Sequence, residues 1–253
     1  MSERVVALIV GGGSGIGYVA AQRLLRRGLE VAIAGRRGTV LENARDELKA
    51  AFPGAAVHAV AGDAGEEADA RRIVSSVIER FGRIDHCVNC AGIYEPVHFI
   101  AMEQADWRRT LSTTLDAQVY IGVAAAREMA KTGGGRFVLI SSINAPLSEP
   151  ESAHYSAAKA GVSSLARSMA VDLAAHDIQV NAVAPGWVHT AMVDDFVNNA
   201  TPETLARLNI LGRVGEPDEV ANVIEYLLLD APTYLNATTV FVDGGQTAMA
   251  PLI

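Results

Sequence analysis

The chain is poor in several residue types, and each scarcity removes a class of function. Only two cysteines occur among 253 residues, too few for a disulfide framework. They stand together as Cys87-Val-Asn-Cys90, a redox spacing. Yet Cys87 falls in an apolar run and no helix start follows Cys90, as a thioredoxin-like site requires. The six histidines are scattered without metal-ligand spacing, so no metal site is expected. No segment reaches the roughly 18 uninterrupted apolar residues of a membrane span. No signal-peptide pattern precedes the first apolar run, which begins near Arg4, and a cytoplasmic location is expected. Basic residues are the minority, 21 against 29 acidic, for a net charge of -8. That balance argues against nucleic acid or an anionic membrane as the main partner. Solubility accounts for it.

Half of the residues are apolar, ample for a buried core. Strand patterns at 4–10, 31–34, 56–61, 84–88, 136–141, 178–183 and 239–242 alternate with helical patterns at 15–27, 39–51, 66–81, 102–131, 152–175 and 217–229. No linker interrupts the alternation, so residues 1–253 are expected to form one domain. The strand runs are apolar enough to be buried on both faces, as in a parallel sheet covered by helices. The expected class is α/β, doubly wound, with a parallel sheet of about seven strands. Ligands of such sheets bind at the carboxyl ends of the strands. Gly11, Gly35, Asp63, Asn89, Ser142 and Pro185 all follow strands, so their loops gather on one edge. The least regular stretch, 189–213, also follows a strand and contains Pro202; it reads as a lid over that edge.

Two clusters on this edge carry chemistry. The first is the turn Gly11-Gly-Gly-Ser-Gly-Ile-Gly17, between a strand and a helix. Glycines let the backbone approach a pyrophosphate, and the helix N-terminus supplies partial positive charge. Ser14, Gly15, Ile16 and Gly17 open that helix. The end of the second strand reads Ala34-Gly-Arg-Arg37, with no carboxylate for an unphosphorylated ribose. Arg36 and Arg37 would instead make charge-assisted contacts to a 2'-phosphate, which favours NADP over NAD.

The second cluster is Ser142, at the end of an apolar run, and Tyr155 and Lys159, one helical turn apart. A ketone that accepts hydride becomes an alkoxide and needs a proton. A phenol can give it, but its free pKa of about 10 is too high to work both ways near neutrality. A lysine at i+4 lies on the same helix face. Its charge favours the phenolate and lowers that pKa, and it can touch the cofactor ribose. A nearby serine hydroxyl can hold the substrate oxygen.

These motifs, in this order, resemble the short-chain dehydrogenase/reductase family across nearly the whole chain. The resemblance rests on the glycine turn, Asn89-Cys-Ala-Gly92, Ser142, Tyr155, Lys159, Asn181-Ala-Val-Ala-Pro-Gly186, Gly212-Arg-Val-Gly-Glu-Pro217 and Val242-Asp-Gly-Gly245. Val10 and Cys90 depart from it, standing where the family usually has threonine and asparagine. The resemblance implies a Rossmann fold and an NAD(P)-dependent carbonyl reductase or secondary-alcohol dehydrogenase, with Tyr155 as general acid/base. It implies that Asp63 meets the adenine ring, with Ala64 beside it, and that Asn89, Ala91 and Gly92 flank the cofactor. It places Pro185, Gly186 and Val188 along the nicotinamide, with Thr190 on the carboxamide. Where the family usually has an asparagine that helps hold a water beside the lysine, this chain has Thr114. Its hydroxyl offers one arm fewer.

Tyr94, Asn144, Glu149, His154, Trp187, Met192 and Phe196 are the candidate substrate contacts. They suit a medium-sized, partly polar ketone or alcohol. The helices at 102–131 and 152–175 carry more apolar surface than one sheet face needs, with Ala125, Ala126, Ala157, Ala160 and Gly161 permitting close approach. The family usually pairs these helices between subunits, so a homo-oligomer is expected, a tetramer foremost. Two other readings compete. One is a dinucleotide-binding sensor without turnover. The other is a hydrolase with Ser142 as nucleophile and Lys159 as base, although no nucleophile-elbow sequence surrounds Ser142.

Overall fold

A computed structural model of the chain describes residues 4–249. The expected domain, 1–253, therefore extends at both ends outside the described residues. Seven strands form one sheet in the order β3-β2-β1-β4-β5-β6-β7. They are β1 (Val6–Val10), β2 (Glu30–Gly35), β3 (Val57–Ala61), β4 (His86–Asn89), β5 (Gly135–Ile140), β6 (Ile178–Pro185) and β7 (Thr239–Val242). Every pairing is parallel, as the unbroken apolar runs require.

β1 shows why the sheet is covered on both sides. Its side chains alternate between faces. Val6, Leu8 and Val10 enter one core with helices α3 (Glu67–Phe81), α5 (Ala117–Met129) and α6 (Ala153–Leu173). Ala7 and Ile9 enter the other, with α1 (Gly15–Arg26), α2 (Gly38–Ala51) and α9 (Pro217–Glu225). Each fully buried leucine or isoleucine contributes about 1.5–3 kcal/mol, so β1 at the sheet's centre anchors both layers. Salt bridges from Arg23 and Arg27 to Asp218, Glu225 and Asp230 join α1 to α9 and its following turn. Such surface pairs add little, about 0–1 kcal/mol each.

Chain order reverses at β1 and β4, whose carboxyl ends therefore flank a crevice. The glycine turn fills its floor. A Cβ on Gly17 would overlap the carbonyl oxygen of Gly11. That bare contact lets α1 start directly against the strand end.

The long helix expected over 102–131 is divided. A capping box between Glu103 and Asp106 starts α4 (Gln104–Leu111). A π turn, Ser112–Asp116, then precedes α5. The π turn inserts extra backbone, and Thr113 and Thr114 on it are buried. The helix expected over 217–229 likewise ends α9 at Glu225 and continues as a π turn, Tyr226–Asp230. Between β6 and α9 lie only short helices, α7 (Asp194–Asn199) and α8 (Pro202–Ala206). Among the described residues no helix is long and apolar enough to cross a membrane.

Candidate active site

A cleft of about 520 Å³ runs along the carboxyl edge of the sheet, from the end of β3 to the end of β6. Its size is that of a small-molecule site. At one end the glycine turn forms a backbone cradle. Gly11 has φ +76 and backs onto Cys90, whose Cβ would lie 3.1 Å from an added Cβ. Gly12 has Ile33 Cγ2 only 2.7 Å from where a Cβ would stand. Ser14 precedes α1 without a side-chain cap, and α1 has no acidic residue in its first turn. The first amides of α1 thus have no side-chain acceptor, the arrangement that suits a pyrophosphate.

Gly11, Ser14, Gly15, Ile16, Gly17, Arg36, Arg37, Asp63, Ala64, Ala91, Gly92, Pro185, Gly186, Val188 and Thr190 all line the cleft. Arg36 and Arg37 are exposed beside β2, and Arg37 reaches the Ser14 hydroxyl at 3.4 Å. Asp63 shapes its own loop by accepting the Gly65 amide at 2.9 Å. Asn89 lies beneath the cleft rather than in its wall. It is fully buried, donates to the Ala117 carbonyl at 3.0 Å and accepts from the Ala91 amide at 3.0 Å. It therefore fixes the loop and not a ligand directly. The residues present fit a nicotinamide dinucleotide: bare backbone for the phosphates at one end, two guanidinium groups beside β2, and an acid–base pair at the other end.

That pair stands where α6 crosses the ends of β5 and β6. Ser142, Tyr155 and Lys159 line the cleft together. The Ser142 hydroxyl stands near enough to the Tyr155 phenol to favour its ionised form, and it accepts the Asn144 backbone amide at 3.1 Å. Lys159 donates from Nζ to the Ile140 carbonyl at 2.7 Å, with Nζ 5.6 Å from the centre of the Tyr155 ring. Ser141 fastens α6 here, donating to the Lys159 carbonyl at 3.0 Å and meeting the Ser163 hydroxyl at 2.7 Å. The Tyr94 ring sits edge-on to Tyr155, centroids 5.1 Å apart.

Burial dominates the ionisation of both groups. It pushes the Tyr155 phenol up to about 12, against a smaller downward pull from the Ser142 hydroxyl. It pushes Lys159 down to about 8. In the chain by itself the shift of the phenol thus follows its burial and not the lysine. The same dryness that would strengthen the lysine's charge also weakens its hold on its own proton.

Thr114 is completely buried and does not line the cleft. Its hydroxyl receives the Ile93 amide at 3.4 Å. Thr114 Oγ1 and Lys159 Nζ lie 3.6 and 3.4 Å from the point where a Cβ on Gly92 would stand, so both flank one small space. Of the candidate substrate contacts, Tyr94, Asn144, Glu149, Trp187 and Met192 line the cleft. His154 and Phe196 do not. His154 is completely buried, its Nε2 3.0 Å from the Glu95 carbonyl, so it ties the loop after β4 to α6. Phe196 stacks on Trp187 from outside, centroids 4.2 Å apart. Sequence reasoning missed Glu95, Val40, Leu41, Ile93 and Cys90 in the cleft wall. For Val40 and Leu41 the signal was available, since they open the helix after the arginines.

A family model described as enoyl-(acyl carrier protein) reductase matches residues 11–247. The chain is 38% identical over 251 residues to cis-4-hydroxycyclohexanecarboxylate dehydrogenase of Sinomonas cyclohexanicum, covering 98% of each chain. It is 35% identical over 246 residues to L-rhamnose 1-dehydrogenase (NAD(P)(+)) of Azotobacter vinelandii, covering 94% of each. A solved short-chain type dehydrogenase/reductase from Mycobacterium ulcerans superposes with a TM-score of 0.92 at 34% identity, over 98% of this chain and 92% of that one.

The buried lysine yields a test that needs no substrate. Lys159 is only 4% exposed. Its pKa falls from 10.5 unfolded to about 8 folded, so between those values the unfolded chain binds more protons and stability rises with pH. Below about pH 8 the full cost of burying the charge is present. Lys159→Met, without cofactor, should therefore be more stable than the parent by about 1–3 kcal/mol near pH 7. The gain should shrink as pH rises toward 10.5. Denaturant melts at both ends of that window measure it. A variant less stable than the parent near neutrality would contradict the direction.

Proposed function

Because this chain belongs to the short-chain dehydrogenase/reductase family, we propose that it transfers hydride between NADP and a ketone or secondary alcohol. The relatives are named dehydrogenases and reductases of hydroxyl and keto groups, and the chain is an NAD(P)-dependent oxidoreductase of the same kind. The sensor reading is thereby set aside. The observation that carries the finer reading is the meeting of Ser142, Tyr155 and Lys159 at one end of a cleft whose other end is a phosphate cradle.

When bound, the dinucleotide supplies the hydride donor or acceptor and, in its oxidised form, a positive charge. The chain does the rest. Tyr155 gives its phenolic proton to the oxygen of a reduced ketone, or takes the proton of an alcohol in reverse. Ser142 holds that oxygen. Lys159, kept charged, stabilises the phenolate. Thr114 holds the loop at Ile93 and faces the space beside Lys159 through which a proton can be resupplied. Asn89 keeps Ala91 and Gly92 in place.

Arg36 and Arg37, with no carboxylate at the end of β2, support NADP. Arg36 makes no ion pair among the described residues, so its charge is free for a 2'-phosphate. The segment 189–213 serves as a lid, carrying Met192 over the substrate end and Phe196 onto the outer side of Trp187. The whole chain acts as one cytoplasmic domain, paired through α5 and α6 into a homo-oligomer.

Two variants test these roles. Tyr155→Phe should bind cofactor as the parent does and lose most turnover, since only the phenolic proton is removed. Turnover within a few-fold of the parent on an accepted substrate would sink the role given to Tyr155. Arg36→Ala and Arg37→Ala should weaken NADP binding while hardly touching NAD. A charge-assisted hydrogen bond contributes about 1.5–3 kcal/mol, so the residue that makes it should cost about tenfold or more. Calorimetric titration with both cofactors reads this, and equal affinity of the parent for the two would overturn the NADP assignment.

A further inference from the structure

The substrate end of the cleft is acidic. Two carboxylates line it, Glu95 after β4 and Glu149 in the loop between Ser142 and α6. They are not equivalent. Glu95 is neutralised by Arg109 at 2.7 Å. Glu149 enters no ion pair among the described residues, and its partner is uncharged: Asn144 donates from Nδ2 to Glu149 Oε2 at 3.2 Å.

The same contacts fix where that carboxylate stands. Asn144 is buried, and its amide is bonded to the Ser142 hydroxyl. The backbone of Glu149 is clamped by Ser152, which accepts the Glu149 amide at 3.2 Å and donates to its carbonyl at 2.6 Å. Glu149 is therefore registered through Asn144 to the hydroxyl that would hold the reacting oxygen. Its negative charge is felt at the reacting end, where it contributes to raising the phenols of both Tyr94 and Tyr155.

Among the described residues, no cation that lines this end is placed to receive a substrate anion. The basic residues in the cleft wall are Arg36, Arg37 and Lys159. The arginines follow β2, three strand spacings from β5, or about 14 Å. The Lys159 ammonium is turned onto the Ile140 carbonyl. Tyr94, Trp187 and Met192 complete the wall with apolar surface.

We propose that Glu149 selects the substrate, accepting a hydrogen bond from a second hydroxyl or an ammonium group on an alcohol or ketone and rejecting a carboxylate at that place. The inference rests on the reading of the cleft as a dehydrogenase site. It follows from a carboxylate that has an amide partner but no ion pair among the described residues, in a partly dry cleft. A donor group satisfies it, whereas an anion meets repulsion that no cation lining this end offsets among the described residues.

Three cyclohexanols that differ only at carbon 4 test this: one bears a carboxylate, one a hydroxymethyl and one an aminomethyl group. The parent protein with NADP should oxidise the hydroxymethyl and aminomethyl compounds with kcat/KM about ten- to hundredfold above the carboxylate, the range of one charge-assisted hydrogen bond. Glu149→Gln keeps an acceptor and removes the charge. It should raise kcat/KM for the carboxylate, and lower it strongly for the amine and less for the hydroxymethyl compound. NADP affinity should not change. If none of the three is oxidised, the same ranking is read from their inhibition constants against an alcohol that is. A carboxylate that ranks level or first in the parent, or a ranking unmoved by Glu149→Gln, overturns the role of Glu149 while leaving the dehydrogenase reading intact. A protein that binds NADP yet turns over no alcohol or ketone overturns the dehydrogenase reading, and this inference falls with it.

Discussion

An ammonium group held out of water sets the character of the whole site. Lys159 has almost no solvent contact, and a single backbone carbonyl, that of Ile140, takes its charge at 2.7 Å. Burying a charge on so few partners is costly, and the drop of its pKa to about 8 expresses that cost. The fold tolerates it because α6 is pinned to the end of β5 by Ser141, through the Lys159 carbonyl and the Ser163 hydroxyl. With the helix fixed there, Tyr155 one turn earlier has one place to stand, and Ser142 meets its phenol.

The rest of the cleft is arranged around that seam. The loop after β4 must approach Lys159 closely, which is why Gly92 carries no side chain between Nζ and the Thr114 hydroxyl. Bonds from Ile93 to Thr114, Glu95 to His154 and Arg109, and Val97 to Glu151 hold the loop in place. They bring the Tyr94 ring against Tyr155. At the opposite end the Gly17–Gly11 approach lets α1 aim its first amides into the same crevice. The glycine cradle thus opens where the sheet reverses its order, while Ser142, Tyr155 and Lys159 stand on the same carboxyl edge past the end of β5.

Much of this was legible in the residues. Apolar runs gave the parallel strands, and the glycine turn gave the cradle. The i+4 spacing placed Tyr155 and Lys159 on one helix face. What was not legible came from direction and from burial. His154 precedes Tyr155, so helical rotation of about 100° per residue turns it away from the cleft and onto the Glu95 carbonyl. Phe196 belongs to the lid, but its ring is spent on the back of Trp187. The π turn at Thr114 breaks a helix whose periodicity ran unbroken through it, because one extra residue per turn leaves little trace in a hydrophobic pattern. The acidity of the substrate end was invisible for another reason. Glu95 and Glu149 look alike in sequence, and only their partners, Arg109 and Asn144, separate them.

On this reading of the site, burial holds the Tyr155 phenol neutral until neighbouring positive charge brings it down. Carbon-13 NMR of protein labelled at the tyrosine Cζ, with the Tyr155 signal assigned from the Tyr155→Phe variant, reads this ionisation directly. In the free protein the signal should stay neutral to above pH 10, since burial pushes the phenol up to about 12. With oxidised NADP bound, it should titrate well below the ordinary value of about 10. In Lys159→Met loaded with the same cofactor, it should stay neutral over that range. A phenol that titrates at the same pH with and without cofactor, or with and without Lys159, would contradict the account.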